Sequence, residues 1–387
     1  MIPKRNFIRN INQALKQPLY ALSVLSKRFK SYMTYSFCNG YSAYPETISL
    51  FLTYRCNLRC KMCGQWGVKG SSHNYSQEKL ETQLTLDAVE KMLDNVMDFK
   101  PNITLFGGEP LLYRDWPVVV EMVKKKGMRC NVITNGVLVK QQARKIIDTG
   151  IDEIIFSLDG PKDVHDKIRG TAGTYDRAMA GFKKLQELKT AKVVKAPLIN
   201  ISTTIFEENY ERLDEVVDSA VEMGAASLTF HHLIFLGEET YSRHESMFDK
   251  HFSISDHDWK GFVRKHLPVI DPGKLMATLK KIKAASPGID VSVYPNLTDS
   301  EVEKYYTSFD FLPDSYSKKC LSPWMTAYVL PDGSVRPCQS LNYSIGNILE
   351  NSFKEIWNGA TALKFRRVLK EEKHFPVCSR CTEFYRF

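Results

Sequence analysis

The feature that most constrains what this chain can fold into is a regular exchange between two periodicities. From Ile48 onward, short β-branched apolar runs near 48–54, 102–106, 129–134, 152–158, 198–205 and 227–233 alternate with helical patterns near 86–98, 115–126, 139–149, 174–189 and 209–223. A unit of roughly 31 residues, one strand and one helix, predicts a βαβ series whose strands lie parallel in an α/β sheet or barrel. Three strands carry a second regularity. Ser227, Thr229 and His231 alternate with Leu228 and Phe230; Asn200, Ser202 and Thr204 with Ile199, Ile201 and Ile205; Ser157 and Asp159 with Ile154, Phe156 and Leu158. Side chains two apart share a sheet face, so helices over the apolar face leave a polar face lining a lumen with room for a ligand. Ordinary half-buried strands explain one such pattern but account less well for three in succession.

On either side of this series the pattern changes. Residues 1–45 hold apolar-periodic stretches interrupted by Pro18 and read as two basic amphipathic helices, so 1–47 forms an N-terminal arm. After Leu233 the periodicity weakens, and 234–319 is expected to connect the parts or cover the substrate. The last segment, 320–387, has a hairpin signal at Pro331-Asp332-Gly333 and a helical pattern over 353–372. A chain of 387 residues fits one large domain and a smaller one.

The formal net charge of +9 gathers at the start, where Lys4, Arg5, Arg9, Lys16, Lys27, Arg28 and Lys30 precede the first acidic residue, Glu46. The remainder carries only about +2. No uncharged apolar run approaches the ~18 residues of a membrane span, and no apolar h-region with a cleavage site marks a secretory signal. A cytoplasmic protein is expected, with 1–45 either lying peripherally on the inner, anionic face of the membrane or capping the barrel with a solvated basic face. Nine cysteines, an odd number in tight clusters, favour metal or cluster ligation over disulfides.

The first strand ends in Cys56-Asn-Leu-Arg-Cys60-Lys-Met-Cys63. Three soft thiolates on one loop suit zinc or an iron–sulfur cluster. A structural zinc closes on four ligands and would have to recruit Cys38 or His73, whereas three thiolates leave a position for an exogenous group. The spacing resembles the Cys-x3-Cys-x2-Cys signature of the radical S-adenosylmethionine superfamily. That resemblance implies a partial (β/α)6 TIM-like barrel over 48–233 and a [4Fe–4S] cluster on Cys56, Cys60 and Cys63. It further implies S-adenosylmethionine bound to the open iron and cleaved by one electron to methionine and a 5′-deoxyadenosyl radical. Met62 stands where the family more often has an aromatic residue on the adenine, and a polarizable thioether can fill that place.

Phe106-Gly107-Gly108-Glu109-Pro110 matches the family's GGEP motif. Gly107 and Gly108 would let the backbone approach a ligand, and the Glu109 carboxylate suits the cofactor's amino group. Ser157-Leu158-Asp159-Gly160 with His165 through Gly170 resembles the family segment that contacts the ribose and the methionine carboxylate, which gives Ser157 and Arg169 those roles. Asn135, in an Asn-Gly turn, and His231, on the lumen face, are further cofactor-binding candidates. All lie at the carboxyl ends of strands, where parallel α/β folds bind ligands.

Cys320, Cys338, Cys378 and Cys381 form a second, closed set. Their setting, Pro331 through Cys338, then Gly346-Asn347-Ile348 and Ile356-Trp357, resembles the C-terminal SPASM/twitch domain of the same superfamily and implies a second, auxiliary [4Fe–4S] cluster. Only six residues follow Cys381, which favours the shorter twitch form. A structural zinc on the same thiolates is the alternative. Cys38 and Cys130 remain as unliganded thiols.

The resemblance implies hydrogen abstraction leading to oxidation or epimerisation, with a one-electron donor such as flavodoxin or ferredoxin. Residues 1–47 lack the strand patterning of the peptide-recognition module that peptide-modifying relatives often carry. A carbohydrate, alcohol or lipid-linked substrate is therefore the leading expectation, and peptide maturation the alternative. A non-catalytic metal-binding or nucleic-acid-binding module gives Gly107 through Pro110 no role, and no nucleic-acid partner is expected.

Overall fold

The computed structural model describes residues 18–285 and 287–387. The barrel series runs α1 (Pro18–Phe37), β1 (Thr47–Phe51), α2 (Leu86–Val96), β2 (Asn102–Phe106), α3 (Trp116–Lys125), β3 (Cys130–Thr134), α4 (Val139–Asp148), β4 (Glu153–Ser157), α5 (Lys162–Arg169), α6 (Thr174–Lys192), β5 (Leu198–Thr204), α7 (Leu213–Glu222) and β6 (Ser227–His231). Each strand from β1 to β6 pairs in parallel with the next. All six expected strands are present, and the helices fall where the 3.6-residue pattern placed them. α2 shows why: the Thr85 hydroxyl accepts from Ala88 N at 3.2 Å to cap it, and Ala88, Val89, Met92, Leu93 and Val96 are buried on one face. Each such aliphatic side chain contributes roughly 1.5–3 kcal/mol on burial.

The region left unassigned by its sequence holds α8 (Glu238–Phe252), α9 (Pro272–Ala285), β7 (Asp290–Tyr294) and α10 (Asp299–Thr307). β7 pairs in parallel with β6 and ends the sheet. All five of its residues are half-buried, although Val291 and Val293 alternate with Asp290 and Ser292, a period-two signal only five residues long. β8 (Thr326–Val329) pairs in parallel with the other side of β1, and β9 (Ser334–Arg336) returns antiparallel through the expected hairpin, followed by β10 (Gly346–Asn347). The cysteine-bearing segment is thus built onto the barrel sheet rather than standing apart from it.

The helical pattern over 353–372 is two helices, α11 (Phe353–Trp357) and α12 (Ala360–Glu372). The break serves a clamp, because the Asn358 side chain accepts from Ser42 N and donates to Ser42 O, each at 3.0 Å.

The ten-stranded sheet ends at β10 and β7 and does not close. The C-terminal residues fill the seam: Tyr294 Oη donates to Thr382 O at 2.8 Å, and Ser322 Oγ donates to Glu383 Oε2 at 2.9 Å. Inside, β4, β5 and β6 alternate between buried and half-buried residues, as the period-two pattern required. The lower lumen is closed by its own polar groups. Glu153 accepts from Arg129 at 3.0 Å and Asn200 at 2.5 Å, and Asn200 accepts from Ser227 at 2.7 Å. Among the described residues, the cavity opens toward the carboxyl ends.

The first expected N-terminal helix lies outside the described residues; the second is α1. Arg28 meets Glu46, just before β1, at 2.6 and 3.0 Å, and Lys27 Nζ donates to Lys100 O, just before β2, at 2.6 Å. The Tyr35 ring packs edge-on against Trp324, just before β8, with centroids 4.9 Å apart. α1 therefore caps the amino ends of the strands.

Candidate cofactor site

The cysteine loop leaves the carboxyl end of β1 and is held from both sides. Lys61 N donates to Ile168 O at 3.0 Å, Trp66 Nε1 donates to Tyr54 O at 3.0 Å, and the Arg59 guanidinium sits 4.0 Å from the Trp66 ring centroid. Cys60 is buried and Cys56 and Cys63 half-buried. Trp66 N donates to Cys63 Sγ at 3.3 Å, and Arg169 Nη1 reaches Cys60 Sγ at 3.6 Å. Burial pushes the Cys56 thiol up to about 12, with Glu109, Cys60 and Cys63 adding to the shift. Such thiols ionise only beside a cation, which is what cluster iron supplies. His73 turns to Trp66 O at 3.2 Å, and Cys38 lies just past the end of α1 at the opposite end of the barrel, so neither joins the loop as a fourth ligand.

Gly107 and Gly108 approach the protein's own chain rather than open space. A Cβ on Gly108 would lie 2.1 Å from Arg55 O, and one on Gly107, whose φ is +129°, would lie 2.6 Å from Thr53 O. Gly108 N and Glu109 N donate to Thr53 O and Arg55 O at 2.8 and 2.9 Å. The glycines thereby dock the tip of β2 on the stem of the cysteine loop. Glu109 follows, buried, its Oε1 accepting from Leu111 N and the Thr134 hydroxyl at 3.1 and 2.8 Å and its Oε2 from Asn135 N at 2.9 Å. Burial nevertheless pushes its carboxyl up to about 7, against those hydrogen bonds and the Arg169 charge. Asn135 Nδ2 donates to Asn57 Oδ1 at 2.8 Å, tying β3 to the same loop.

Arg169 is the last residue of α5, where Gly170 turns the chain at φ +70°. Its Nη2 meets Asp159 Oδ2 at 2.5 Å, and Asp159 Oδ1 accepts from Thr204 N at 2.9 Å. Burial raises the Asp159 carboxyl, opposed by the Arg169 charge. Arg169 Nε is buried without a partner, a donor left for a bound group.

A cavity of about 350 Å³ opens over these residues, and its lining brings together Cys56, Met62, Cys60, Cys63, Gly107, Gly108, Glu109, Asn135, Ser157 and Arg169. His231 stays outside it, its ring against Tyr294 with centroids 5.7 Å apart. The sequence reading missed Asp159 as the partner of Arg169, although it shares a strand face with Ser157, and Thr134 as a donor to Glu109. It also missed the outer wall, where Asp258 from the unassigned region pairs with Arg336 of β9 and Arg336 Nη2 donates to Asn342 Oδ1 at 2.9 Å.

Cys320, Cys378 and Cys381 are buried and Cys338 half-buried. Burial, then Cys381, Cys378 and Cys320, push the Cys338 thiol up, and burial with the neighbouring Glu383 pushes Cys381 up to about 12. Four thiols that disfavour one another's ionisation fit a cationic multi-iron centre. Among the described residues no three His, Cys, Asp or Glu side chains gather tightly enough to hold a single ion. Cys130 lies at the amino end of β3, where burial and then Asp152 push its thiol up against the Lys124 charge.

Fold and site define an enzyme that places an open iron–sulfur centre beside a pocket for an organic cofactor. Residues 50–220 match the model of the Radical SAM superfamily, and 320–382 match that of the SPASM iron–sulfur cluster-binding domain. The chain belongs to the radical S-adenosylmethionine superfamily and carries a C-terminal SPASM domain; its cofactors are a [4Fe–4S] cluster, S-adenosylmethionine and an auxiliary iron–sulfur cluster. Fe-coproporphyrin III synthase of Methanosarcina barkeri is 27% identical over 85% of this chain and 79% of its own. The sporulation killing factor maturation protein SkfB of Bacillus subtilis is 26% identical over 83% and 67%. Among solved structures, Streptococcus suis SuiB bound to its precursor peptide SuiA superposes with a TM-score of 0.60 at 13% identity, covering 88% of this chain and 76% of that one.

Proposed function

We propose that this radical S-adenosylmethionine enzyme modifies a peptide, and that hydrogen abstraction takes place in the cavity above the cysteine loop. In this reading Cys56, Cys60 and Cys63 hold the cluster that binds the cofactor, and Cys320, Cys338, Cys378 and Cys381 hold the auxiliary one. When bound, the first cluster and S-adenosylmethionine supply the capacity to abstract a hydrogen atom. The chain's own residues position and enclose. Glu109 takes the cofactor's amino group, Arg169 Nε and Ser157 meet its polar groups, Asn135 holds the cysteine loop in register, and Met62 packs beside the adenine. A closed four-thiolate site suits electron transfer better than substrate ligation, which favours net oxidation of the substrate over epimerisation. The required one-electron reductant is a small flavodoxin or ferredoxin in this proposal.

The observation that carries the peptide reading is the charge of the cavity wall. Among the described residues, the cations that line it are Arg169 and Arg336, paired with Asp159 and Asp258. A phosphorylated or lipid-linked sugar, or the propionates of a porphyrin, would have to draw on Arg169 Nε, which this reading gives to the cofactor, or on Lys79 and Arg59 outside the lining, which stand over the Tyr75 and Trp66 rings at 3.9 and 4.0 Å. Neutral peptide amides would find Gln65, Gln339 and Ser340, with Tyr54 and Tyr75 to pack against. The names of SkfB, a maturation protein, and of SuiB, bound to a precursor peptide, support the same reading over the carbohydrate, alcohol or lipid-linked one. A tetrapyrrole is the second reading, favoured by the likeness to Fe-coproporphyrin III synthase.

The test is anaerobic. Reduced, reconstituted enzyme with S-adenosylmethionine is mixed with peptides encoded by the reading frames flanking its gene, with coproporphyrin III, or with nucleotide sugars, and 5′-deoxyadenosine formation is followed. Stimulation by a peptide, with a matching mass change in it, is expected. Stimulation by the porphyrin or the sugars alone would overturn the reading.

A further inference from the structure

α1 has two faces, and among the described residues only one is used by the fold. Ser31, Tyr35 and Arg28 point to the barrel, while Leu22, Leu25, Phe29 and Phe37 are 63%, 61%, 65% and 79% exposed, with Tyr32 and Met33 beside them. At about 100° per residue these six side chains share an arc of about 140°, a mainly apolar face in which the exposed Ser26 and Ser36 are the polar members. Cations border it on both sides. Lys30 stands exposed at one margin. At the other, Lys319 and Lys370 lie 5.9 and 5.4 Å from the Tyr35 ring centroid.

We infer that this face of α1 docks on an anionic lipid surface, with Lys30, Lys319 and Lys370 meeting headgroup phosphates while Leu22, Leu25, Phe29 and Phe37 enter the acyl boundary. Charge selects this occupant. Residues 1–45 carry seven basic residues and no acidic one, so a second copy placed symmetrically against the stripe would set like charges against each other. Residues 1–17, whose four charges, Lys4, Arg5, Arg9 and Lys16, are all basic, offer the rim no complementary charge. The contact is peripheral, since among the described residues no helix is long and apolar enough to cross a membrane.

Docking of this kind also fixes orientation. α1 caps the amino ends of the strands through Glu46, Lys100 O and Trp324, whereas the cavity opens at their carboxyl ends. The enzyme would sit with its mouth turned away from the lipid, toward substrate arriving from the aqueous side. This inference stands whether or not the substrate is a peptide.

The test is co-sedimentation of the full-length, reconstituted protein with vesicles of phosphatidylglycerol and phosphatidylcholine, against vesicles of phosphatidylcholine alone. The wild type is expected to partition onto the anionic vesicles only. Leu25→Ser with Phe29→Ser, both largely exposed, should lower that partitioning by about tenfold or more, as should raising salt to about 0.5 M. Slow S-adenosylmethionine cleavage should stay unchanged. Lys30→Glu with Lys319→Glu should give the same loss and serves if the first variant is unstable. Wild-type protein left in the supernatant overturns the inference, and so does binding that survives both variants. A dimer that the Leu25/Phe29 variant dissolves, without vesicle binding, would assign the face to a second copy instead.

Discussion

Arg169 and Asp159 form an ion pair at 2.5 Å beneath the cysteine loop, with Asp159 fully buried and Arg169 nearly so. The same guanidinium reaches Cys60 Sγ, so one side chain links the tip of β4, the end of α5 and the loop. Asp159→Asn keeps the shape but leaves a buried guanidinium unpaired, and breaking such a pair costs about 3–5 kcal/mol. Anaerobic denaturant unfolding should show a loss of that order, with weaker S-adenosylmethionine binding. Unchanged stability would mean that Arg169 does not depend on Asp159.

Glu109 predicts a pH dependence. Burial raises its carboxyl from 4.5 to about 7, so below that pH the cofactor-free protein holds it protonated. An ammonium group pairs with the ionised form, which must first lose that proton. S-adenosylmethionine affinity should therefore rise with pH toward a plateau above about 7, falling below it by up to about tenfold per pH unit. Glu109→Gln should bind weakly and flatten the profile. Anaerobic calorimetry from about pH 6 to 8.5 checks both, and a wild-type profile flat across that range would show that Glu109 does not take the amino group.

Gly108→Ala places a methyl carbon 2.1 Å from Arg55 O. The backbone must shift, at a cost of about 1–3 kcal/mol, and Arg55 leads directly into Cys56. Reconstituted Gly108→Ala protein should be less stable and hold less iron at the first cluster, as read by iron analysis. Full iron content with wild-type stability would contradict this docking role.

The auxiliary site predicts stoichiometry. Anaerobically reconstituted protein should hold about eight irons per chain, and replacing Cys320, Cys338, Cys378 and Cys381 together should leave about four. Zinc at those thiols after anaerobic preparation would sink the auxiliary-cluster assignment.

What could be read from the sequence was whatever depends on local period and spacing. The strands from β1 to β6, their polar faces, the hairpin at Asp332-Gly333 and both cysteine sets belong to that class. Two local signals were passed over: Val291 and Val293 alternate with Asp290 and Ser292 in β7, a run of only five residues, and Asn358-Gly359 is a helix-breaking pair. At the site, Cys56, Glu109 and Arg169 were visible as motif residues. The Asp258–Arg336 wall was not, since it joins two segments that meet only when the sheet assembles. His231 shows the converse limit: period two placed it on the polar face but could not say that Tyr294 would stand against it.

Cleavage of S-adenosylmethionine by single-site variants tests the central claim most directly. Reduced, reconstituted wild type should form 5′-deoxyadenosine and methionine in equal amounts, slowly even without substrate, and Cys60→Ala should abolish both while keeping the auxiliary iron. S-adenosylhomocysteine as the sole product, or undiminished 5′-deoxyadenosine from the Cys60→Ala protein, would contradict the account.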